Sequence, residues 1–277
     1  MTDTPDGQLP SLAGLRDLVV GVSEGVSALQ SGGTAVSEKI DGSYVTAVDQ
    51  DLQDRLLRAL DTRWPGYGAI GEEMSHSDQV SICQSSENGY WVIDPLDGTT
   101  NFASGFPCYG ISVALVIDGD PKLAVVYDPV RRECFSAGVG QGAGLNGQAI
   151  RCLETQMLDD CIANVDYKRL VGELAVRLVQ SPPYRSQRNI GASVLEWCWL
   201  AAGRIQLYLH GGQKLWDFAA GYLILTEAGG AATTLSGAPL DCGSLQKRSV
   251  VAASSSALLA QWSAWININR FDSDTPA

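Results

Sequence analysis

The most informative stretch of this 277-residue chain is Tyr90-Trp91-Val92-Ile93-Asp94-Pro95-Leu96-Asp97-Gly98-Thr99-Thr100-Asn101. Its first four residues predict a buried strand, which ends in two carboxylates that can converge on a cleft. Gly98 lets the backbone turn back beneath them. Thr99 and Thr100 then fall at the expected start of a helix, where free N–H groups favour an anion. The stretch therefore predicts divalent metal ions with a phosphate beside them.

Ordinary structure also explains each part of this stretch taken alone. Asp-Pro and Asp-Gly are common turn formers, and threonine is a common helix cap. The whole combination, placed directly after a buried strand, is much harder to explain in this way. We therefore favour the interpretation as a metal and phosphate site.

Two further acidic segments lie far away in the sequence. Glu72 and Glu73 follow the apolar segment Ala69-Ile70-Gly71, which again predicts carboxylates at the end of a strand. Asp217 opens a strongly apolar segment that ends at Gly229-Gly230, a typical helix stop. Taken alone, the glutamate pair is typical of a solvated surface, and Asp217 is typical of a helix N-cap.

Taken together, these segments resemble the inositol monophosphatase family. Five motifs carry the resemblance in the family's order: Val45-Thr46-Ala47-Val48-Asp49-Gln50, Gly71-Glu72-Glu73, the stretch from Trp91 to Phe102, Gly144-Leu145-Asn146-Gly147, and Trp216-Asp217 leading to Glu227-Ala228-Gly229-Gly230. They span most of the chain. One such motif would be weak support, whereas five in order are specific.

The resemblance implies a layered α-β-α-β-α sandwich of the sugar-phosphatase type, which combines α+β and α/β features. We expect an N-terminal α+β half, residues 1–150, that carries most of the metal ligands. We expect a C-terminal α/β half, residues 151–277, that carries Asp217 and the substrate-facing residues. The active site then lies between the two halves.

Local patterns predict individual elements of this fold. Apolar residues recur with helical spacing from Leu12 to Leu29, which predicts a first amphipathic helix ending near Gly32-Gly33. The segments 111–117 and 123–127 read as strands joined by Asp118-Gly119-Asp120-Pro121, a clear hairpin signal.

The resemblance implies Mg²⁺ as the cofactor, with two or three ions bound. Glu72, Asp94 and the Leu96 carbonyl correspond to the ligands of one ion, and Asp94, Asp97 and Asp217 surround a second. A third, looser ion is held partly by Glu72. Oxygen ligands of this kind are the ones that Mg²⁺ prefers.

Catalysis is assigned on the same resemblance to Asp49, Thr99 and Glu72. Thr99 and Asp49 correspond to the pair that orients and deprotonates the attacking water, so that no protein nucleophile is required. The alternative for Asp49 is a cap for the helix predicted after it, whose apolar face includes Leu52 and Leu56.

Substrate contacts are expected from Asp97, Gly98, Thr99, Thr100, Arg188, Ser193 and His210. His210 stands where many inositol-phosphate-cleaving relatives have an acidic residue. It can bond a hydroxyl, meet a second phosphate or carboxylate when protonated, or be a loop histidine without a substrate role. Arg188 can face the substrate, a neighbouring subunit or solvent. Lys39 is expected to temper the negative charge of the metal-binding loop.

The expected function is Mg²⁺-dependent hydrolysis of a small phosphate monoester, with myo-inositol monophosphate as the best single candidate. The same motifs fit relatives that act on histidinol phosphate, fructose 1,6-bisphosphate or 3′-phosphoadenosine 5′-phosphate. The motif residues do not separate these substrates, because they hold the phosphate and the metals rather than the leaving group. An alternative of another class is a non-catalytic regulator that binds a phosphate ligand.

Composition narrows the partners and the compartment. The net charge of −12 and the pI of about 4.5 disfavour nucleic acid and anionic membranes. Seven cysteines, without a Cys-x-x-Cys pair, predict reduced thiols rather than a disulfide framework or a zinc site. The first residues lack a signal-peptide pattern, so we expect a soluble cytoplasmic protein. The family resemblance favours a homodimer.

Overall fold

A computed structural model describes residues 9–30, 36–38, 44–170 and 172–269. Its helices are α1 (Leu12–Val22), α2 (Val26–Leu29), α3 (Ala47–Arg63), α4 (His76–Ser85), α5 (Thr99–Ser104), α6 (Glu173–Gln180), α7 (Ser193–Ala201), α8 (Leu215–Glu227) and α9 (Ser256–Asn269). Its strands are β1 (Val36–Glu38), β2 (Tyr44–Thr46), β3 (Gly68–Gly71), β4 (Tyr90–Asp97), β5 (Gly110–Ile117), β6 (Asp120–Asp128), β7 (Glu133–Gly138), β8 (Gly142–Leu145), β9 (Gln148–Ile150), β10 (Ile162–Asp166), β11 (Ser186–Arg188), β12 (Leu207–Gln213), β13 (Ala231–Thr233) and β14 (Arg248–Ala253).

Most of these strands form two mixed sheets. The first has the order β3-β4-β5-β6-β7-β8-β9 and is antiparallel except for the pair β3 and β4. The second has the order β11-β10-β12-β14-β13, in which β10 runs parallel to both β11 and β12. No strand is shared between the sheets, so we propose the boundary between the two halves at residues 150 and 151, between β9 and β10.

Helices cover both faces of each sheet. One face of the first sheet packs against α1 and α3, whose apolar positions recur with helical spacing and are fully buried: Leu15, Val19, Leu52, Leu56 and Leu60. The outer face of the second sheet packs against α6 and α9 through Leu174, Leu178, Leu258, Leu259 and Trp262. Because α7 and α8 fill the space between the sheets, the layers alternate α-β-α-β-α and the predicted sandwich is confirmed.

The central helix layer is packed closely. A Cβ added at Gly221 of α8 would overlap the Cβ of Trp197 on α7, so these helices can approach only because residue 221 has no side chain. The Trp197 ring in turn packs edge-on against Tyr208 of the second sheet. The helix pair therefore fixes the spacing of the two sheets and of any site between them.

The local predictions are largely confirmed, with one clear difference. The 111–117 and 123–127 segments form the antiparallel pair β5 and β6, as the hairpin signal predicts. The first helix does not continue to Gly32-Gly33, which lie outside the described residues: α1 ends at Val22 and a separate turn of helix, α2, follows. The Ser23 hydroxyl donates to the Val19 carbonyl, and Gly25 has a φ of 82°, a left-handed conformation that interrupts the helix.

Among the described residues, no helix has both the length and the apolar character needed to cross a bilayer. All seven cysteines are free thiols, as predicted.

A pair of glycine substitutions tests the packing of the central layer. We expect Gly221→Ala to lower the free energy of unfolding by about 1–3 kcal/mol, because the new methyl group meets Trp197. Gly21→Ala is the matched control, since Gly21 lies in α1 with nothing within 4 Å of an added Cβ. That change should raise stability by about 0.5–1 kcal/mol through helix propensity. Chemical denaturation measures both, and equal effects would contradict the packing argument.

Candidate active site

A β-bulge brings two carboxylates to the same face of the first sheet. Asp94 pairs with Ser112 and Asp97 pairs with Gly110, so β4 advances three residues while β5 advances two. Side chains three residues apart on a regular strand point to opposite faces, and the extra residue reverses this relation. Pro95 lies within the bulge, where its missing N–H costs no ladder hydrogen bond. Both carboxylates consequently face the helix layer between the sheets.

Two other acidic residues join them from different elements. Glu72 directly follows β3, and its N–H donates to the Ile93 carbonyl at 3.2 Å, which sets Glu72 beside the end of β4. Asp217 is the third residue of α8 rather than its N-cap, because the helix begins at Leu215 and Lys214 is its N-cap. Its carboxylate accepts the Lys214 N–H at 2.8 Å and so caps the helix from within.

The pKa values of the three aspartates show how crowded this site is. Burial, reinforced by the charges of Glu72, Asp97 and Asp217, raises the pKa of Asp94 well above its ordinary value. Burial and the charge of Asp217 likewise raise the pKa of Asp97, against the opposing effect of the Val194 N–H. Burial and then Glu72 raise the pKa of Asp217 to about 6. Burial and mutual repulsion therefore oppose the ionisation of all three aspartates.

The donor set of this cluster fits a hard divalent cation. Asp94 uses Oδ1 to accept the Leu96 N–H at 3.1 Å, whereas its Oδ2 is buried and has no hydrogen-bond partner. An unpartnered buried carboxylate oxygen is costly unless a cation neutralises it. Within the described residues, no three or more His, Cys, Asp or Glu side chains form a group that could hold a metal ion by themselves. A backbone N–H holds one oxygen of Asp94 and of Asp217, which leaves the second oxygen of each available.

Thr99 and Asp49 form the predicted pair. The Thr99 hydroxyl donates to Asp49 Oδ1 at 2.9 Å and lies 3.1 Å from the Leu96 carbonyl oxygen. Asp49 Oδ2 accepts the Thr46 N–H at 2.9 Å and the Thr46 hydroxyl, which makes Asp49 part of the capping box of α3. The interpretation of Asp49 as part of a helix cap is thus confirmed, and the cap fixes the orientation of the carboxylate towards Thr99, whereas the catalytic role of Asp49 stays a prediction.

The loop before α7 joins the two halves at the site. Asp97 accepts the Val194 N–H at 2.8 Å and the Ser193 hydroxyl at 3.3 Å, so it caps the first turn of α7. The Asn101 amide donates to the Ile190 carbonyl at 2.9 Å. Gly98 has a φ of 89°, and a Cβ there would lie 3.0 Å from the Cys108 carbonyl oxygen and 3.3 Å from that of Gly191. This close approach explains why a glycine follows Asp97.

The sequence patterns do not predict the buried polar network that lies behind this loop. Glu196 accepts the N–H groups of Ile190 and Gly191 at 3.2 and 3.0 Å, and the Tyr208 hydroxyl hydrogen-bonds to it. The Gln213 amide donates to the Tyr208 oxygen at 2.6 Å. Glu196 is the single charged residue in the apolar segment 193–202, and that exception was the available signal.

These residues line a cleft of about 420 Å³ between the halves. Of the residues predicted for the site, the cleft is lined by Glu72, Leu96, Asp97, Gly98, Thr99, Thr100, Ser193, His210 and Asp217. Asp94 and Asp49 lie beneath it and are almost fully buried. Arg188 does not line the cleft: its guanidinium donates to the Ser186 hydroxyl and the Gln187 carbonyl, both at 2.8 Å. Lys39 lies outside the described residues.

His210 faces the cleft with both ring nitrogens already engaged. Nδ1 accepts the Gly212 N–H at 3.1 Å, and Nε2 lies 3.3 Å from Asp166 Oδ2. Burial alone would raise the pKa of Asp166, but the hydrogen bond and charge of His210, together with Arg169, lower it below its ordinary value. The imidazole therefore orients Asp166 and leaves no free nitrogen for a substrate hydroxyl.

Comparison with known proteins identifies the class. Residues 21–266 match the model of the inositol monophosphatase family, so this chain belongs to that family, whose members are metal-dependent phosphatases. The chain is 35% identical over 208 residues to the Nus factor SuhB of Xylella fastidiosa, covering 73% of each. It is 31% identical over 221 residues to inositol monophosphatase 1 of Bos taurus, covering 77% of this chain and 78% of the bovine protein. A solved IMPase of Thermotoga maritima superposes with a TM-score of 0.81 at 27% identity, covering 93% of this chain and 96% of that one.

The raised pKa values of Asp94 and Asp217 predict how the stability of the fold depends on pH and on metal. A carboxyl group with a raised pKa in the folded state stabilises the fold while protonated, and this contribution is lost as pH rises through the folded-state pKa. For Asp217 that window runs from its ordinary 3.8 to about 6, and the contribution of Asp94, whose pKa is also raised well above its ordinary value, is lost in the same direction. With chelator present, Asp94→Asn should therefore be more stable than the wild type, by a margin that grows by about 2–6 °C in Tm between about pH 5 and about pH 8.

The same thermal melts give the metal readout. Added Mg²⁺ should raise the Tm of the wild type markedly and that of Asp94→Asn little, because binding to the folded state alone is stabilising. Asp61→Asn, at an exposed carboxylate of α3, is the control and should follow the wild type. An Asp94→Asn protein that is less stable at both pH values would show that the carboxylate is compensated within the protein.

Proposed function

We propose that this chain hydrolyses a small phosphate monoester with Mg²⁺ as cofactor. The observation that carries the proposal is the unpartnered Oδ2 of Asp94, buried among Glu72, Asp97 and Asp217 and next to the Thr99–Asp49 pair. A structural cluster would have satisfied that oxygen with a protein donor. A cation site at the base of a cleft leaves it free.

The proposed ligands are Glu72, Asp94, the Leu96 carbonyl, Asp97 and Asp217, holding two or three ions. When bound, such ions lower the pKa of an attacking water and neutralise the leaving oxygen. Glu72 serves as a ligand that also borders the position of that water. Proton transfer and substrate positioning are then carried out by the protein's own residues.

The Thr99 hydroxyl is arranged to accept a proton from water. Its own hydrogen points to Asp49 Oδ1, so its lone pairs are the only part that a water in the cleft can meet. A water that donates to Thr99 presents its own lone pair to the substrate phosphorus. As the water loses its proton to Thr99, Thr99 passes its hydrogen to Asp49, and the buried carboxylate accepts it.

The phosphate is proposed to lie against Gly98, Thr99 and Thr100, which line the cleft at the first turn of α5. The N–H groups of a first helical turn have no partner within the helix. Ser193 and Asp97 border the leaving group. Arg188 can contact the substrate only if its side chain changes conformation. His210 can contact the substrate with the face of its ring, because both of its nitrogens are engaged.

Myo-inositol monophosphate is the best single candidate for the substrate, supported by the similarity to the bovine inositol monophosphatase. Histidinol phosphate, fructose 1,6-bisphosphate and 3′-phosphoadenosine 5′-phosphate are the alternatives. The exposed apolar side chains of Phe106, Leu153 and Met157 support a homodimer, and a cytoplasmic location stays a prediction from the sequence.

A second candidate function is a binding role without turnover. It is supported by the 35% identity to a protein named Nus factor SuhB. The complete Thr99–Asp49 pair argues for retained catalysis, because a protein that only binds has no use for a water-activating pair.

Phosphate release from a substrate panel tests the proposal. The panel holds inositol 1-phosphate, histidinol phosphate, fructose 1,6-bisphosphate and 3′-phosphoadenosine 5′-phosphate, each assayed with Mg²⁺ and then with chelator. We expect release that requires Mg²⁺ and favours one member. Folded, Mg²⁺-loaded protein that releases phosphate from none of them would favour the binding role.

A double-mutant cycle tests the proton path. Thr99→Ala and Asp49→Asn should each lower kcat by about 10²–10⁴-fold, and the double variant should lose little more, since the two residues act as one unit. Asparagine can still accept the Thr46 N–H, so the helix cap is retained. Thr62→Ala, an exposed threonine of α3, is the control. Losses that multiply in the double variant would separate the two residues and contradict a shared path.

A further inference from the structure

Basic side chains line the cleft together with its carboxylates. Arg169, Lys214 and Lys247 line it from the second half, which also contributes Asp166, Glu196 and Asp217, and Glu72 and Asp97 line it from the first. None of these three basic residues stands out in the sequence, where they are far apart. The chain has a net charge of −12, yet three of its basic side chains line this one cleft.

Sheet topology is what brings them together. Strands β10 and β12 are parallel and end at the same edge of the second sheet, and antiparallel β14 begins there, with Gln213 opposite Arg248. Arg169 lies in the 3-10 turn after β10, Lys214 directly follows β12, and Lys247 directly precedes β14. Three neighbouring strands thus each place one basic residue at the same mouth of the cleft.

The three basic residues differ in their internal compensation. Arg169 pairs with Asp166 at 4.0 Å, although the oxygens of Asp166 are also used by His210 and by the Lys168 N–H, and the charge of Arg169 also acts on Asp217. Lys214 lies 5.7 Å from the centre of the Trp216 ring, which positions its ammonium group without neutralising it. Among the described residues, neither Lys214 nor Lys247 has a carboxylate within ion-pair distance, whereas neighbouring Arg248 pairs with Asp241 at 3.2 Å.

We propose that Arg169, Lys214 and Lys247 form a subsite for a second anionic group of the substrate, a phosphate or a carboxylate. The subsite rests on the proposed phosphatase function and lies at the edge of the second sheet, where the Lys214 N–H also contacts Asp217 of the carboxylate cluster. A cleft of about 420 Å³ is large enough for a small sugar or polyol with an anionic group at each end. The preferred substrate class is then a bisphosphate or a phosphorylated acid rather than a polyol with one phosphate.

Matched substrate pairs test this subsite directly. The pairs are fructose 1-phosphate with fructose 1,6-bisphosphate, and inositol 1-phosphate with inositol 1,4-bisphosphate. For the wild type we expect kcat/KM at least about tenfold higher for the doubly phosphorylated member of a pair, because charge-assisted contacts are the strong ones. Lys247→Gln and Arg169→Gln should each lower that ratio about tenfold, chiefly through KM.

Charge controls separate the subsite from general effects. Lys247→Arg should keep the ratio, and Lys122→Gln, which removes a cation paired with Asp120 away from the cleft, should leave it unchanged. A wild-type enzyme without preference, or a ratio that Lys247→Gln does not change, overturns the subsite while the phosphatase function stands.

Binding decides the question if no ester is hydrolysed, an outcome that would overturn the proposed function instead. Calorimetry with Ca²⁺ in place of Mg²⁺ then compares fructose 1,6-bisphosphate with fructose 1-phosphate. Tighter binding of the bisphosphate that Lys247→Gln weakens about tenfold supports the subsite. Equal affinities refute it.

Discussion

Mutual repulsion among neighbouring carboxylates is the constraint on which the rest of this structure depends. Asp94 is buried and Asp97 and Asp217 are half-buried, and their pKa values rise because burial and neighbouring charge both oppose ionisation. A chain left to maximise stability would separate or neutralise them. On the proposed function, cations that enter the site offset the cost of ionising them, which would tie the stability of the fold to the occupancy of its site.

Local backbone features hold these carboxylates in place. The bulge in β4 turns Asp94 and Asp97 to one face, and backbone N–H groups of Leu96, Val194 and Lys214 each fix one carboxylate. These donors lie in the bulge, at the start of α7 and just before α8. Each aspartate is therefore oriented by the element that carries it or packs on it. The close contact of α7 with α8 sets the distance between the two halves. Packing in the central layer therefore also determines the geometry of the cleft.

Much of the fold and of the site could be predicted from the sequence, because the signals are local. The strand at 90–93 and the hairpin between β5 and β6 follow from apolar patterns and turn residues. The Thr99–Asp49 pair follows from the family resemblance. The break between α1 and α2 depends on the left-handed conformation of Gly25, which an apolar pattern does not specify.

The remaining features depend on contacts between distant segments. In the sequence, Glu196 is only a charged exception in an apolar helix. Its role follows from its hydrogen bonds to Tyr208 and to the loop at 190–191 in the folded protein. His210 offered a substrate contact in the sequence, yet its neighbours Gly212 and Asp166 use both of its nitrogens. Arg169, Lys214 and Lys247 meet only because three strands share a sheet edge, which no linear pattern encodes.

Anomalous diffraction from crystals grown with Mn²⁺ would test the central claim most directly. We expect at least one anomalous peak within coordination distance of Asp94 Oδ2, the buried oxygen without a hydrogen-bond partner in the described part of the chain. We also expect that Glu72 or Asp217 shares in the coordination of that ion. Well-ordered crystals in saturating Mn²⁺ without a peak at the carboxylates, and with Asp94 Oδ2 bonded to a protein donor instead, would contradict it.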